Sequence, residues 1–317
     1  MRAKLSIAVG ALVAMAWAVP SEGTAPFLVQ AAVSKVHVAM ALPLSARFRI
    51  SKERGLLMST WINGKGPYTF AVDTGAGMNI VTQRVVDEAM LTTRNAPAVV
   101  LGGLTSARTT SNREAVINQL ALGDRANTLH ATKLALVVSI LSSGIDGVLD
   151  PTDIYSPYGY AIDMPNQRID AIEPISRGTN STRSVARSED VIVPWLRFGD
   201  SVRPFVRLGD GRLALVDTGS SFGLAVNGRD AVIVGNRRSN RTSEGAHDIA
   251  GGAITSRRVS PTTISIGELV LERVPTDILY GVEDDAPVIL GRDVLYPFKI
   301  TFDPQRRLIE FVTSEKH

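Results

Sequence analysis

The tripeptide Asp-Thr-Gly occurs twice in this chain, as Asp73-Thr74-Gly75 and as Asp217-Thr218-Gly219. Each copy closes an apolar run, Phe70-Ala71-Val72 before the first and Leu213-Ala214-Leu215-Val216 before the second. Two carboxylates brought into one site hold a single proton between them, because like charges at close range cannot both ionise cheaply. Such a pair offers an acid and a base at once: the ionised member takes a proton from water, and the protonated member gives one to a carbonyl oxygen. The proton belongs to the pair rather than to either residue. This chemistry needs no covalent intermediate, no metal and no cofactor.

The elements that would bring the pair together are repeated. The two aspartates are 144 positions apart, and so are Leu120-Ala121-Leu122-Gly123 and Ile264-Ser265-Ile266-Gly267. Gly147, in Ile145-Asp146-Gly147-Val148-Leu149, lies 144 positions before Gly291, in Ile289-Leu290-Gly291-Arg292-Asp293. Tyr160 to Ile169 parallels Ile300 to Ile309 at an offset of 140. Four matches in one order mark an internal duplication, which decides the architecture.

These residues resemble the aspartic peptidases of the retropepsin-like and pepsin-like group, including their bacterial members. The resemblance rests on the two triplets, on the later glycines in Gly144-Ile145-Asp146-Gly147 and Val288-Ile289-Leu290-Gly291, and on the approach Trp61 to Phe70 with its Asn63-Gly64 turn. It runs from about Leu44 to Val312 and implies an all-β fold. Two pseudo-symmetric acid-protease β-barrel lobes, 44–172 and 191–317, would flank a cleft, with few short helices. It implies Asp73 and Asp217 as catalytic residues, with Thr74 and Thr218 hydrogen-bonded across the lobe interface. Gly75 and Gly219 would permit a tight turn and close approach of substrate, and Gly147 and Gly291 would pack under the loops. Ala76 follows the first triplet and Ser220 the second, so only the second half has a hydroxyl to offer its carboxylate. This pattern predicts a mildly acidic optimum rather than a strongly acidic one. Between triplet and later glycine lie two candidate flap tips, Gly102-Gly103 and Gly251-Gly252, where glycine pairs suit mobile hairpin ends. The implied partner is a peptide or unfolded protein, and one chain carrying both triplets acts as a monomer.

The bulk numbers agree with a two-lobed globular protein: 317 residues with 44% apolar content suffice for two cores. Short Val-, Ile-, Leu- and Thr-rich runs such as Leu134 to Val138 and Val191 to Val193 read as strands. Thr82 to Met90 reads as a short helix capped by Thr82. The polar stretch 173–190 reads as a linker, and 19–43 as an N-terminal arm of undecided role, propeptide included. Arg2 and Lys4 before an apolar run, then Ala16-Trp17-Ala18, read as an export signal over 1–18. The absence of cysteine excludes disulfides and thiol chemistry and fits a bacterial periplasmic or secreted protein. No later segment is long enough to span a membrane. The formal net charge is +3 and the first 18 residues hold two bases and no acids, so the remainder is nearly balanced and does not read as a nucleic-acid binder. The four histidines show no metal-ligand spacing. Gly219-Ser220-Ser221-Phe222-Gly223 matches a serine-nucleophile elbow, but the first half has no serine at the corresponding place. The alternative to a peptidase is a catalytically weak peptide-binding module of the same fold.

Overall fold

The computed structural model describes residues 42–129, 132–139, 141, 144–173, 190–199, 201–228 and 242–313. The export signal 1–18, nearly all of the arm and linker residues 174–189 lie outside these described residues. Among the described residues no helix is long and apolar enough to cross a membrane.

Local chemistry sets the first hairpin. Asn63 and Gly64 both take positive φ, 48° and 72°, the backbone of the tight turns whose twist matches paired strands. They join strand Gly55–Ile62 to strand Lys65–Val72, which ends at Asp73. In register, Leu56 lies opposite Val72 and Met58 opposite Phe70, and all four side chains are buried. Alternation on a pleated strand thus drives the segment leading to Asp73 into the core.

The duplication is visible strand by strand. Lys65–Val72 pairs in parallel with Gly147–Leu149, which pairs antiparallel with Ile80–Thr82. That strand pairs in parallel with Lys133–Val138, which continues antiparallel to Arg108–Ile117 and then Thr92–Gly102. The second half repeats the order and sense with Leu213–Val216, Val288–Leu290, Leu224–Asn227, Leu269–Tyr280, Ala253–Ile266 and Thr242–His247. The fold is all-β and two-lobed, and its described helices are three short ones, Gln83–Glu88, Pro151–Ile154 and Arg292–Leu295. Thr82 precedes the first of them without capping it; its hydroxyl donates to the Asp146 carbonyl at 3.1 Å instead.

A third sheet is built by both halves, an arrangement absent from the sequence reading of separate lobes. Its order is Ala46–Arg47, Arg168–Ile172, Gly159–Asp163, Phe298–Asp303, Leu308–Thr313, Val191–Pro194. The two repeat hairpins matched at offset 140 therefore pair with each other, Tyr160 opposite Phe302 and Ile162 opposite Ile300. The Tyr160 and Phe302 rings stack with centroids 4.8 Å apart. This shared, buried seam joins the two halves into one body.

The strand register corrects one expectation. Leu149 lies beside Val72, the residue before Asp73, and Leu290 lies beside Val216, the residue before Asp217. Asp150 is therefore the structural counterpart of Gly291, and Gly147 that of Val288. The sequence match at Gly147 and Gly291 arises from two different packing needs. Gly147 lies opposite Phe70, whose ring would be 2.1 Å from an added Cβ, whereas Val288 lies opposite the small Ala214. Large and small residues have exchanged places across the pair. Gly147→Ala is expected to cost about 1–3 kcal/mol through overpacking, with part of the loss recovered in Gly147→Ala/Phe70→Leu. Urea unfolding measures it, and an unchanged midpoint for the single variant would refute the packing explanation.

Candidate active site

The ends of the two central strands meet through their threonines. Thr74 N–H donates to Thr218 Oγ1 at 3.1 Å, and Thr218 N–H donates to Thr74 Oγ1 at 3.0 Å. The Thr74 hydroxyl donates on to Val216 O at 2.6 Å, and the Thr218 hydroxyl to Val72 O at 3.2 Å. Each hydroxyl is both acceptor and donor across the seam, so two buried side chains are satisfied by the opposite half. This matches the arrangement that the resemblance implied for Thr74 and Thr218.

The exchange brings Asp73 and Asp217 face to face. A Cβ at Gly75 would lie 2.9 Å from Asp217 Cγ, and one at Gly219 would lie 2.6 Å from Asp73 Cγ. Only a residue without a side chain admits each carboxylate into the other's loop. Asp73 Oδ1 accepts from Gly75 N–H at 2.7 Å; Asp217 Oδ1 accepts from Gly219 N–H at 2.8 Å and from Ser220 N–H at 3.1 Å. The Ser220 contact is made by its main chain. Its hydroxyl accepts from Phe222 N–H at 3.3 Å and forms no bond to the carboxylate, contrary to the expectation for that residue. Ala76 contributes its N–H to the Asp73 carbonyl at 3.3 Å, closing the first turn.

Both aspartates keep part of their surface open, yet Asp73 is enclosed by the surrounding fold. Burial first, and then the facing Asp217 charge, push the Asp73 carboxyl well above the usual carboxylate range, against the opposing Gly75 N–H. Asp150 adds a smaller push in the same direction.

Gly291 packs under the second loop, where a Cβ would lie 2.4 Å from Phe222 O and 2.9 Å from Ser220 O. Gly147 packs instead beside the strands that lead into the first loop. Next to Gly291, the buried Arg292 donates to Thr218 O at 3.0 Å and Gly219 O at 2.6 Å, and from its other nitrogen to Ser51 O at 3.1 Å and Lys52 O at 2.7 Å. One guanidinium thus fastens the Asp217 loop to a turn of the first half.

The candidate flap glycines lie at or beside the ends of two hairpins, and the ends touch. Thr105 N–H and Oγ1 donate to Asp248 Oδ2 at 3.0 and 2.6 Å. Asp248 Oδ1 accepts from Ala250 and Gly252 N–H at 3.1 and 2.8 Å, shaping its own turn. A Cβ at Gly103 would lie 2.3 Å from Asp248 Cβ, and one at Gly252 would lie 1.8 Å from Thr105 Oγ1. These two glycines are required by close approach of the opposite tip. Gly251 is required by its φ of +87°, and a Cβ at Gly102 would lie 3.0 Å from the Arg108 side chain. The tips also exchange apolar residues. Leu104 packs with Phe222 and Val282 against the second half's cluster around Ile289. Ile249 packs with Ala76 and Met78 against the first half's cluster around Leu57 and Ile80. Each tip therefore reaches residues that follow the other half's aspartate.

Sequence reasoning missed Asp150, Arg292, Thr105 and Asp248. Aligning the halves on Val148-Leu149 and Ile289-Leu290, rather than on glycine, would have set Asp150 against Gly291 and exposed the first two. The contact of Thr105 with Asp248 has no local sequence signal.

A family model described as aspartyl protease matches residues 58–149 and again residues 209–294, one copy on each half. A search among curated proteins gave no match. The chain belongs to the aspartyl protease family.

Proposed function

We propose that the protein is an aspartic endopeptidase in which Asp73 and Asp217 act on one water molecule. The observation that carries this reading is the facing of the two carboxylates through glycines that leave room for them. In the reaction the ionised aspartate takes a proton from water as the water oxygen bonds to the peptide carbon. The protonated aspartate gives its proton to the carbonyl oxygen, forming a neutral tetrahedral diol. Collapse breaks the C–N bond, a diol hydroxyl returns its proton to the pair, and the leaving nitrogen takes up the other. The substrate would be an extended segment of peptide or unfolded protein held by backbone hydrogen bonds beneath the hairpin tips. Both aspartates are on one chain, which supports a monomer as the working unit. The signal-like pattern at 1–18 supports action in the periplasm or outside the cell.

The test is hydrolysis of an unfolded protein across pH, with and without a statine-type inhibitor. A pair needing one proton gives a bell-shaped profile. Asp73 is held above the usual carboxylate range, so the protonated member persists into mildly acidic solution. Activity then disappears as pH rises through the raised Asp73 value, and also at low pH where both members are protonated. An optimum at mildly acidic pH, blocked by the inhibitor, is expected; a maximum near about pH 2 would contradict it. A folded protein that binds peptide but cleaves nothing between about pH 3 and 7 would be the weak binding module instead.

A further inference from the structure

We infer that Asp150 and Arg292 are positioning residues that break the symmetry of the pair, so that the shared proton rests on Asp73 and Asp217 is the base. The inference rests on the peptidase reading of the two aspartates. Its basis is the strand register, which puts Asp150 where the second half has Gly291 and Pro151 where it has Arg292. One loop therefore has a carboxyl group beneath it, anionic above about pH 6, and the other a permanent cation.

The first half makes room for that anion. Gly291 N–H donates to the Gly223 carbonyl at 2.9 Å, whereas Asp150 N–H donates to the Asn79 side-chain oxygen at 3.0 Å. A side-chain amide has replaced a main-chain carbonyl, and a carboxyl group occupies a place where the second half excludes even a methyl group. Asp150 is 3% exposed and accepts from Thr152 N–H at 2.9 Å. The titratable groups facing it are Asp153, Tyr160 and Asp73. The nearby cation Lys133 is engaged with the carbonyls of Asp153 and Ser156. Burial pushes the Asp150 carboxyl up to about 6, so above that pH its charge bears on Asp73.

On the other side, Arg292 is 4% exposed and spends its hydrogen bonds on four neutral carbonyls. Among the described residues no carboxylate pairs with it directly, and its charge acts on Asp217 first, then Asp73, then Asp293. The cation also sits on the side where two N–H groups already point at Asp217. An anion near Asp73 and a cation near Asp217 favour the same placement of proton and charge.

Asp150→Asn keeps the size and the acceptor for Thr152 N–H while removing the charge. The alkaline limb of the pH–rate profile is expected to move down by about one pH unit, and Arg292→Gln is expected to move it up. Carbon NMR of the Asp73 carboxyl in the full-length chain should show the same opposed shifts without any substrate. Asp150→Ser and Arg292→Lys serve if the first variants do not fold, the lysine retaining the limb where glutamine moves it. Opposed shifts support the inference, because a purely structural role would lower rates without moving the limb in opposite directions. A folded Asp150 variant whose limb and Asp73 titration both stay in place overturns it. Absence of hydrolysis by the unaltered protein would defeat the peptidase reading instead, leaving the NMR titration to decide the placement of the proton.

Discussion

Asp217→Asn is expected to lower kcat for peptide hydrolysis by about 10²–10⁴-fold and to leave the fold intact. Asparagine has the same shape, and its carbonyl oxygen still accepts from the Gly219 and Ser220 N–H groups that hold Asp217 Oδ1. The threonine exchange beneath it is untouched, since Thr218 bonds through its own hydroxyl and N–H. What is lost is the negative charge that, in the proposed reaction, accepts the proton of water. The loss should therefore fall on kcat, with KM little changed, because the substrate's backbone contacts do not depend on that proton. Asp73→Asn should cost a comparable factor, and the double variant little more, since the two carboxylates act as one unit. Steady-state kinetics on an unfolded protein, with circular dichroism as a check on folding, measures this. Retention of more than about a tenth of the activity in a folded single variant would be incompatible with a role in the proton transfers.

The second large effect is expected at the hairpin tips. Asp248 is 8% exposed and accepts four hydrogen bonds, two from Thr105 on the opposite hairpin and two from its own turn. Asp248→Ala leaves those four donors without their acceptor and so loosens the turn and removes the hydrogen bonds between the tips. Arg108 and Glu283 form a second clasp nearby at 2.5 Å, but both are partly exposed, where an ion pair contributes little. What remains is the apolar seating of Leu104 and Ile249 and the Glu283 N–H bond to Leu104 O at 2.8 Å, so the tips are expected to open more often, and a substrate held beneath them loses its alignment. Misalignment on the order of 1 Å is enough to cost about 100-fold, so kcat/KM is expected to fall by about that factor. Hydrogen exchange at Gly103 to Ala107 should accelerate, while exchange in the shared six-stranded sheet should not. Unchanged kinetics together with unchanged exchange at the tips would show that the Thr105–Asp248 contact does not govern access.

Much of this site was legible before any coordinates because it is encoded by local pattern. Each Asp-Thr-Gly ends an apolar strand, and the glycines after the aspartates are needed for a contact that any chain making this pair must solve in the same way. The glycine pairs were read as hairpin ends because glycine suits a tight reversal, whereas the close approach of the opposite tip that Gly103 and Gly252 make room for was not legible. What stayed hidden is what depends on a partner far along the chain. Thr105 and Asp248 are ordinary polar residues until 143 positions are folded onto each other. The shared sheet was concealed because its strands belong to two copies of the repeat, and repeats read as separate units. Asp150 was concealed by a coincidence of glycines: Gly147 accommodates Phe70 and Gly291 accommodates the Ser220 loop, so matching them shifted the comparison by three residues. Ser220 shows the limit of residue-type reasoning, for its hydroxyl is engaged by Phe222 N–H and its main chain does the work expected of the side chain.

The most direct measurement is a crystal structure of the chain with a statine-type peptide, whose hydroxyl stands in for the diol oxygen. The predicted result is one inhibitor per chain, extended beneath the two tips, with that hydroxyl within hydrogen-bond distance of both Asp73 and Asp217. An inhibitor bound elsewhere, or one whose hydroxyl touches neither carboxylate, would contradict the assignment of these two aspartates as the hydrolytic pair.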